Sequence, residues 1–165
     1  MPKLAELNAL DPGEFTRIIG PVFEHSPWVA ARTAAQRPFR SRENLHAALV
    51  ATVSKATEDE KLALIRAHPD LIGDAHLTAA SQAEQASAGL RDASPEEANQ
   101  FREFNRQYRE RFGFPFVICA RLNKKDAIAR AFPVRLRNSR AEEIEIALQE
   151  ISKIADLRLQ DLVRE

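Results

Sequence analysis

The chain has 165 residues, a length that suits one domain with a single buried core. Its 24 basic residues balance its 24 acidic residues, so no excess charge favours a nucleic-acid partner. No apolar run approaches the length of a membrane span, and the N-terminus lacks the charged-then-apolar pattern of a signal peptide. The single cysteine excludes an internal disulfide, and the C-terminus carries no peroxisomal tripeptide. Together these features predict a cytoplasmic protein without a nucleic-acid or membrane partner.

Helix-start signals recur along the whole chain. Each combines a side chain that can cap a helix with a carboxylate or a proline in the first turn. In chain order they are Asp11-Pro12-Gly13-Glu14, Ser41, Thr57-x-x-Glu60, Ser81-x-x-Glu84, Ser94-Pro95-Glu96-Glu97 and Ser139-x-x-Glu142. We therefore expect seven or eight helices and no sheet, which is an all-α domain over residues 1–165.

The sequence also marks the segments between the helices. We expect a corner at Glu24-His25-Ser26-Pro27-Trp28, a helix end at His68 before Pro69, a loop at 71–78, a short helix at 123–132 and a connector at 133–138. The last helix should run from Ser139 to about Val163.

The stretch from Phe112 to Ala120 is the exception to this helical pattern. Gly113 and Pro115 prevent the preceding helix from continuing, and the residues that follow are almost wholly apolar. We expect the segment 113–120 to be buried and extended or irregular. No second strand-like run is available to pair with it, so its backbone N–H and C=O groups need partners on neighbouring helices or on a polar ligand.

An arginine interrupts the apolar stripe of the last helix. Six apolar positions recur there at steps of three and four: Ile144, Leu148, Ile151, Ala155, Leu159 and Leu162. Arg158 falls inside the stripe, and a guanidinium that points inward needs an anion or several acceptors. It either pairs internally with a carboxylate such as Glu84 or grips the oxygen atoms of a ligand.

His68 and a polar cluster after it are further candidates. The helix end favours a protonated imidazole while the apolar turn before it favours the neutral form, a balance that suits proton transfer, although a structural role is the alternative. Ser81 and Glu84 spell a capping box, which explains them without any site. Capping does not require Gln85, and a helix N-terminus with three polar side chains also makes a surface for binding an anion or an amide.

Other kinds of site fit the sequence less well. The spacing of His68, Asp70, Asp74 and His76 matches no standard zinc or two-metal pattern, so we expect no metal. Cys119 lies in an apolar run, where a thiolate nucleophile is disfavoured. A protein-binding module that uses an aromatic helix face is the rival to an enzyme. That face would carry Phe101, Phe104 and Tyr108.

Four motifs in this order resemble those of the OHCU decarboxylases, which are the 2-oxo-4-hydroxy-4-carboxy-5-ureidoimidazoline decarboxylases that complete the conversion of urate to allantoin. The motifs are Glu24-His25-Ser26-Pro27-Trp28, His68-Pro69-Asp70-Leu71, Ser81-x-x-Glu84-Gln85 and Phe112-Gly113-Phe114-Pro115-Phe116-Val117-Ile118-Cys119-Ala120. The resemblance extends from about Phe15 to the last helix.

The resemblance implies an all-α homodimer that uses no cofactor and yields (S)-allantoin. By position in the motifs, His68 and Glu84 would be catalytic and Arg158 would be the family's arginine. The substrate-binding residues would be Pro69, Ser81, Gln85, Phe116, Val117, Ile118, Cys119 and Ala120.

Overall fold

The structure is a computed structural model that describes residues 1–73 and 77–165. Over these residues the chain forms nine α helices and no β-strand, so the expected all-α class is confirmed. The helices are α1 (Leu4–Ala9), α2 (Pro12–Ile19), α3 (Trp28–Thr33), α4 (Arg42–Ser54), α5 (Glu58–Arg66), α6 (Ala79–Ser87), α7 (Pro95–Phe112), α8 (Lys125–Arg135) and α9 (Arg140–Leu162). Short 3-10 turns occur at Gly20–Val22, Ala34–Gln36, Leu90–Asp92 and Ala120–Leu122.

The chain divides into two compact units. The first unit comprises Met1–Ala67 and Ser152–Glu165, and the second comprises His68–Ile151. Within the described residues, none of the helices has both the length and the apolar character that crossing a membrane requires.

In the first unit, helix α3 packs against both α2 and α4. The hydroxyl groups of Thr33 and Thr52 lie 2.6 Å apart and join α3 to α4. Helix α2 begins as predicted, because the Asp11 carboxylate accepts the N–H groups of Gly13 and Glu14. The side chains with no exposed surface include Leu7, Phe15, Ile19, Val29, Leu45, Leu49, Leu64 and Ile65.

In the second unit, aromatic rings fill the space between α7 and α8. The Phe101 ring meets the Phe132 ring edge-on, with 6.1 Å between the ring centres, and the Phe104 ring stacks on the Phe132 ring, with 5.0 Å between the centres. Tyr108 is fully buried. The aromatic face of α7 is therefore covered by α8 within the unit, which removes the main support for a protein-binding module.

Three features differ from the sequence-based expectations: helix α1, which raises the count above the seven or eight helices expected, the start of α6 and the end of α8. Helix α1 is absent from those expectations, since its N-cap position is Lys3, which is not a capping residue by type. Helix α8 continues through Pro133 to Arg135, so the connector predicted at 133–138 begins too early. The exposed Pro133 ring interrupts one backbone bond, while the buried Arg135 side chain anchors the last turn of α8.

Candidate functional site

His68 lies just after α5 and its side chain is buried, with 7% of its surface exposed. Arg66 is the last residue of α5, and Pro69 follows the histidine in the chain. The expected helix end is thus confirmed to within two residues. An imidazole that is largely shielded from bulk water can exchange a proton with a small molecule bound beside it.

Three polar side chains hold the segment that follows His68. The amide of Gln85 donates to the carbonyl of Asp70 at 3.3 Å and accepts the N–H of Ile72 at 3.2 Å. Asn105 donates to the carbonyl of Leu71 at 2.8 Å. Arg109 forms an ion pair with the Asp70 carboxylate, at 2.9 Å. Each residue from 70 to 72 is therefore fastened to α6 or α7, which orders the chain beside His68.

Helix α6 begins three residues earlier than the capping-box interpretation of Ser81 required. Its N-cap is Thr78, whose hydroxyl accepts the N–H of Ser81 at 3.1 Å. Ser81 and Glu84 therefore do not form a capping box, and that interpretation is wrong. Instead Ser81, Glu84 and Gln85 are all buried, at exposures of 6%, 9% and 7%. A nine-residue helix whose buried face is polar is unusual, since buried positions normally carry apolar side chains.

The segment from Phe114 to Cys119 is buried, apart from the partly exposed Ile118, and forms neither helix nor strand, as expected, whereas Gly113 is exposed. Gly113 ends α7 with φ of 79°, and its N–H donates to the carbonyl of Arg109. Farther along, side chains replace the missing sheet partners. Arg135 donates to the carbonyl of Val117 at 2.6 Å, and Glu150 accepts the N–H of Cys119 at 3.2 Å.

A buried charged network fixes Arg135. Its Nε donates to Glu143 Oε1 at 2.8 Å, and its guanidinium carbon lies 4.1 Å from the centre of the Phe116 ring. The hydroxyl of Tyr108 donates to the same Glu143 oxygen at 2.5 Å. Burial and this hydrogen bond both raise the pKa of Tyr108 well above its ordinary value, so the hydroxyl remains a donor.

Cys119 connects the buried segment to the acidic side chains around it. Burial raises the pKa of the Cys119 thiol, and the nearby carboxylates of Glu150 and Glu84 raise it further. This agrees with the expectation that Cys119 is not a thiolate nucleophile. It also places Glu84 close to the segment, and α6 packs against the 3-10 turn that begins at Ala120.

Arg158 points inward as the stripe on α9 predicted, with 5% of its surface exposed. The carboxylate that the structure shows paired with Arg158 is Glu24. Arg158 Nη2 lies 2.9 Å from Glu24 Oε2, and Nη1 donates to the carbonyl of Pro21 at 3.1 Å. Glu24 is 2% exposed. This pair connects the Glu24 corner motif to the last helix within the first unit.

The second unit brings most of the predicted site residues into one neighbourhood. Gln85 contacts the segment after His68 and Pro69, while Glu84 approaches Cys119. Ala120 lies in the turn against α6. Arg158 belongs to the first unit, together with Glu24.

The metal interpretation gains no support. Among the described residues, no group of three or more histidine, cysteine or acidic side chains could hold an ion. Asp74 and His76, two of the four residues in that interpretation, lie outside the described residues.

Several buried polar residues were missed in the sequence. Glu143 and Glu150 lie on the same face of α9 as Arg158, at exposures of 0% and 8%. The expected stripe ran through Ile144 and Leu148, one position away from the buried face at the start of the helix. The buried positions of α9 are Glu143, Ala147, Glu150, Ile151, Ile154, Ala155, Arg158 and Leu159. Ala147, Ile151, Ile154 and Ala155 define that face by apolar spacing alone, and it contains both glutamates.

Buried histidine, glutamate and arginine side chains in an all-helical chain are typical of an enzyme that acts on a small polar molecule. Comparison with known proteins gives the family. The sequence profile described as OHCU decarboxylase matches residues 8–160. The chain belongs to the OHCU decarboxylase family.

Two relatives and one solved structure illustrate the match. The 2-oxo-4-hydroxy-4-carboxy-5-ureidoimidazoline decarboxylase of Haloferax volcanii is 44% identical over 156 residues, which cover 94% of this chain and 93% of that protein. The uric acid degradation bifunctional protein of a Bacillus species is 41% identical over 100% of this chain, which spans 33% of that protein. The crystal structure of (S)-allantoin synthase superposes with a TM-score of 0.81 at 27% identity, covering 99% of this chain and 54% of that one. This chain therefore spans about half of that solved chain.

Proposed function

We propose that this protein decarboxylates 2-oxo-4-hydroxy-4-carboxy-5-ureidoimidazoline (OHCU) to (S)-allantoin, the last step in the conversion of urate to allantoin. It would thus be a carboxy-lyase. The observation that carries the proposal is the family match over residues 8–160. The buried polar face of α6 supports it, because Ser81 and Glu84 are buried on that face and Thr78, not Ser81, caps the helix.

The substrate supplies the electron sink for this reaction. When the carbon–carbon bond to the carboxylate breaks, CO₂ leaves and the electron pair passes into the imine conjugated to the ring. An enol-like species results. The protein then has to fix the geometry, stabilise the delocalising charge and control one proton, and none of these tasks requires a cofactor.

His68 and Glu84 are proposed to control that proton. In this proposal the imine nitrogen gains one proton from solvent, which balances the loss of CO₂, and His68, aided by Glu84, takes the hydroxyl proton of the enol-like species. The enol-like species is then protonated at carbon from one side, which sets the single handedness of the product. Burial of both side chains supports the assignment, because a proton held away from water is delivered only where the protein directs it.

Arg158 is proposed to bind substrate oxygens. Clamping the departing carboxylate alone would stabilise the ground state and slow its loss. Its pairing with Glu24 supports a different role, since a guanidinium already neutralised by a carboxylate attracts a second carboxylate less strongly. We therefore assign Arg158 to oxygens where charge accumulates or to the orientation of the ring.

The backbone of the buried segment is proposed to bind the ring and its ureido group. Among the described residues, the N–H groups of Phe116, Val117 and Ile118 donate to no protein acceptor. Backbone groups in a buried segment nearly always have partners. A substrate rich in N–H and C=O groups would provide them, with Ser81, Gln85 and Pro69 as further contacts.

The experiment adds the purified protein to freshly made OHCU and follows (S)-allantoin by circular dichroism. Because the substrate also decays spontaneously, we expect the protein to make the decay faster than the spontaneous rate and to yield a single enantiomer of allantoin. The control is His68→Asn, which should keep the fold and lose turnover by at least about a hundredfold, as expected for a general acid–base residue. Decay at the spontaneous rate with the wild-type protein would refute the function, and near-normal turnover by His68→Asn would remove His68 from the chemistry.

Assembly and location form the finer part of the proposal. We assign the protein as a cytoplasmic homodimer that uses no cofactor. The buried free thiol of Cys119 supports a reducing compartment. Size-exclusion chromatography with light scattering tests the dimer, and a monomer at micromolar concentration would refute it.

A further inference from the structure

Ile118 stands out within the buried segment because its neighbours are more buried than it is. Val117 is 3% exposed and Cys119 is 1% exposed, whereas Ile118 is partly exposed. The two peptide bonds that flank Ile118 are each held by a charged side chain. Arg135 holds the first through the Val117 carbonyl, and Glu150 holds the second through the Cys119 N–H.

These two contacts determine which way the polar groups of Ile118 face. The only cis peptide bond among the described residues is Arg37–Pro38, so both bonds beside Ile118 are trans. In a planar trans peptide the carbonyl and the following N–H point in opposite directions. The Ile118 N–H therefore points away from the Arg135 guanidinium, and the Ile118 carbonyl points away from the Glu150 carboxylate.

The Arg135 side chain has little freedom to move away from the Val117 carbonyl. Its Nε is paired with Glu143, and its planar face covers the Phe116 ring. Glu143 has no exposed surface and also accepts from Tyr108 and from Asn138, at 2.5 and 2.9 Å. A buried guanidinium with a fixed counter-charge and a stacked ring keeps one orientation.

We propose that Arg135 and Glu150 are positioning residues that aim the N–H and the C=O of Ile118 at a cyclic ureide. A ureide carries adjacent N–H and C=O groups, and one residue that offers both a donor and an acceptor is complementary to that edge. The inference rests on the proposed function and adds two residues to it. Neither side chain touches the reacting atoms; both act through the backbone of Ile118.

The test uses (S)-allantoin, a stable ureide, as the probe in amide NMR of the ¹⁵N-labelled protein. Removing Arg135 alone would leave Glu143 buried and unpaired, so the variant is the double substitution Arg135→Met with Glu143→Gln, which removes both charges and keeps the acceptor for Tyr108. Glu150→Met removes the acceptor for the Cys119 N–H, and Glu150→Gln restores one. Tyr108→Phe is the matched control, because it keeps the ring that packs on Phe116 and removes only the hydroxyl, which bonds to Glu143 and Arg135 and to no backbone group of the segment.

We expect (S)-allantoin to shift the Ile118 amide resonance in the wild-type protein. In Arg135→Met/Glu143→Gln and in Glu150→Met, the Kd for (S)-allantoin and the KM for OHCU should rise at least tenfold, with kcat within about threefold. Tyr108→Phe and Glu150→Gln should stay within about twofold of wild type. The free Ile118 and Cys119 amide resonances should move only in the first two variants.

Three results would overturn the inference. One is a wild-type Kd in Arg135→Met/Glu143→Gln with a native spectrum. Another is an equal loss in Tyr108→Phe, which would make the effect one of general network stability. The third is a wild-type Ile118 amide that does not respond to (S)-allantoin although OHCU turnover is normal. Failure of the proposed function looks different, since OHCU would then decay at its spontaneous rate while the free amide resonances still report whether Arg135 and Glu150 orient Ile118.

Discussion

At the scale of single residues, the Glu24–Arg158 pair shows how the fold accommodates a buried charge. Both side chains are almost fully buried, and their charged atoms lie 2.9 Å apart. Burial of a charge is tolerated only when a partner compensates it. Glu24 was treated as part of a corner motif in the sequence, because nothing in its local pattern shows that a residue 134 positions away would pair with it.

Replacing Glu24 with glutamine tests this pair. The amide keeps the shape but leaves the buried guanidinium without its counter-charge, so the free energy of unfolding should fall by about 3 kcal/mol. Urea denaturation followed by circular dichroism gives that value. Glu24→Gln combined with Arg158→Gln should recover part of the loss. An unchanged urea midpoint in Glu24→Gln would show that the pair contributes nothing.

The exposed pair of Glu14 and Arg17 is the control. Its side chains are 49% and 68% exposed, and solvent screens such a pair. Glu14→Gln should leave the urea midpoint almost unchanged.

The thiol of Cys119 makes stability depend on pH on the alkaline side. Burial raises its pKa in the folded protein, so the unfolded chain loses the proton first as the pH rises above about 8.5. The free energy of unfolding is therefore unaffected by this thiol below that pH. Between the unfolded and folded pKa values it falls, by up to about 1.4 kcal/mol per pH unit.

Urea denaturation at pH 7.5 and pH 9.5 measures this effect. We expect the wild-type protein to lose more stability between the two pH values than Cys119→Ala, which lacks the titrating group. Parallel losses in the two proteins would refute the assignment. Tyr108 adds a similar decline only above about pH 10, because burial also raises its pKa.

At the scale of elements, α6 distinguishes a capping hydroxyl residue from a buried one. Thr78 and Ser81 are both hydroxyl residues near the start of the helix, and sequence alone favoured Ser81 as the cap. In the structure Thr78 caps the helix and Ser81 lies on its buried face. The Ser81-x-x-Glu84 pattern was misleading because Thr78, three residues earlier, is also a hydroxyl residue that can cap a helix. Which of the two begins the helix depends on the burial of the polar face of α6.

Alanine substitutions should give opposite results at these two positions. Thr78→Ala loses the bond to the Ser81 N–H, so the free energy of unfolding should fall by about 1 kcal/mol while KM stays near its wild-type value. Ser81→Ala should raise KM severalfold if Ser81 contacts the substrate. Urea denaturation and OHCU turnover of both variants measure this. A raised KM in Thr78→Ala with no change in Ser81→Ala would return Ser81 to a structural role.

Elements with strong local signals were the most predictable. Capping boxes at Thr57 and Ser94 begin α5 and α7 as expected, and the glycine and proline after α7 end it. Interactions across long sequence separations were not predictable. The contacts of Arg135 with Val117 and Glu143 require the folded chain, since neither spacing nor residue type marks the three as neighbours.

At the scale of the whole molecule, α9 carries charged residues of both units on one buried face. Glu143 and Glu150 belong to the second unit and Arg158 to the first. Within the second unit, Glu150 accepts the N–H of Cys119. The direction of each side chain depends on the unbroken helical register between residues 143 and 158.

A proline at position 149 tests whether that register matters. Gln149 is exposed on α9, so its replacement removes no buried contact. Proline there removes one backbone N–H and clashes with the carbonyl four residues earlier, which costs about 3 kcal/mol and kinks the helix. We expect kcat/KM for OHCU to fall by at least tenfold in Gln149→Pro at a temperature where circular dichroism still shows a folded protein. Gln149→Ala, which keeps the helix, should behave as wild type. Normal turnover in a folded Gln149→Pro variant would show that the reaction does not depend on the unbroken helical register of α9.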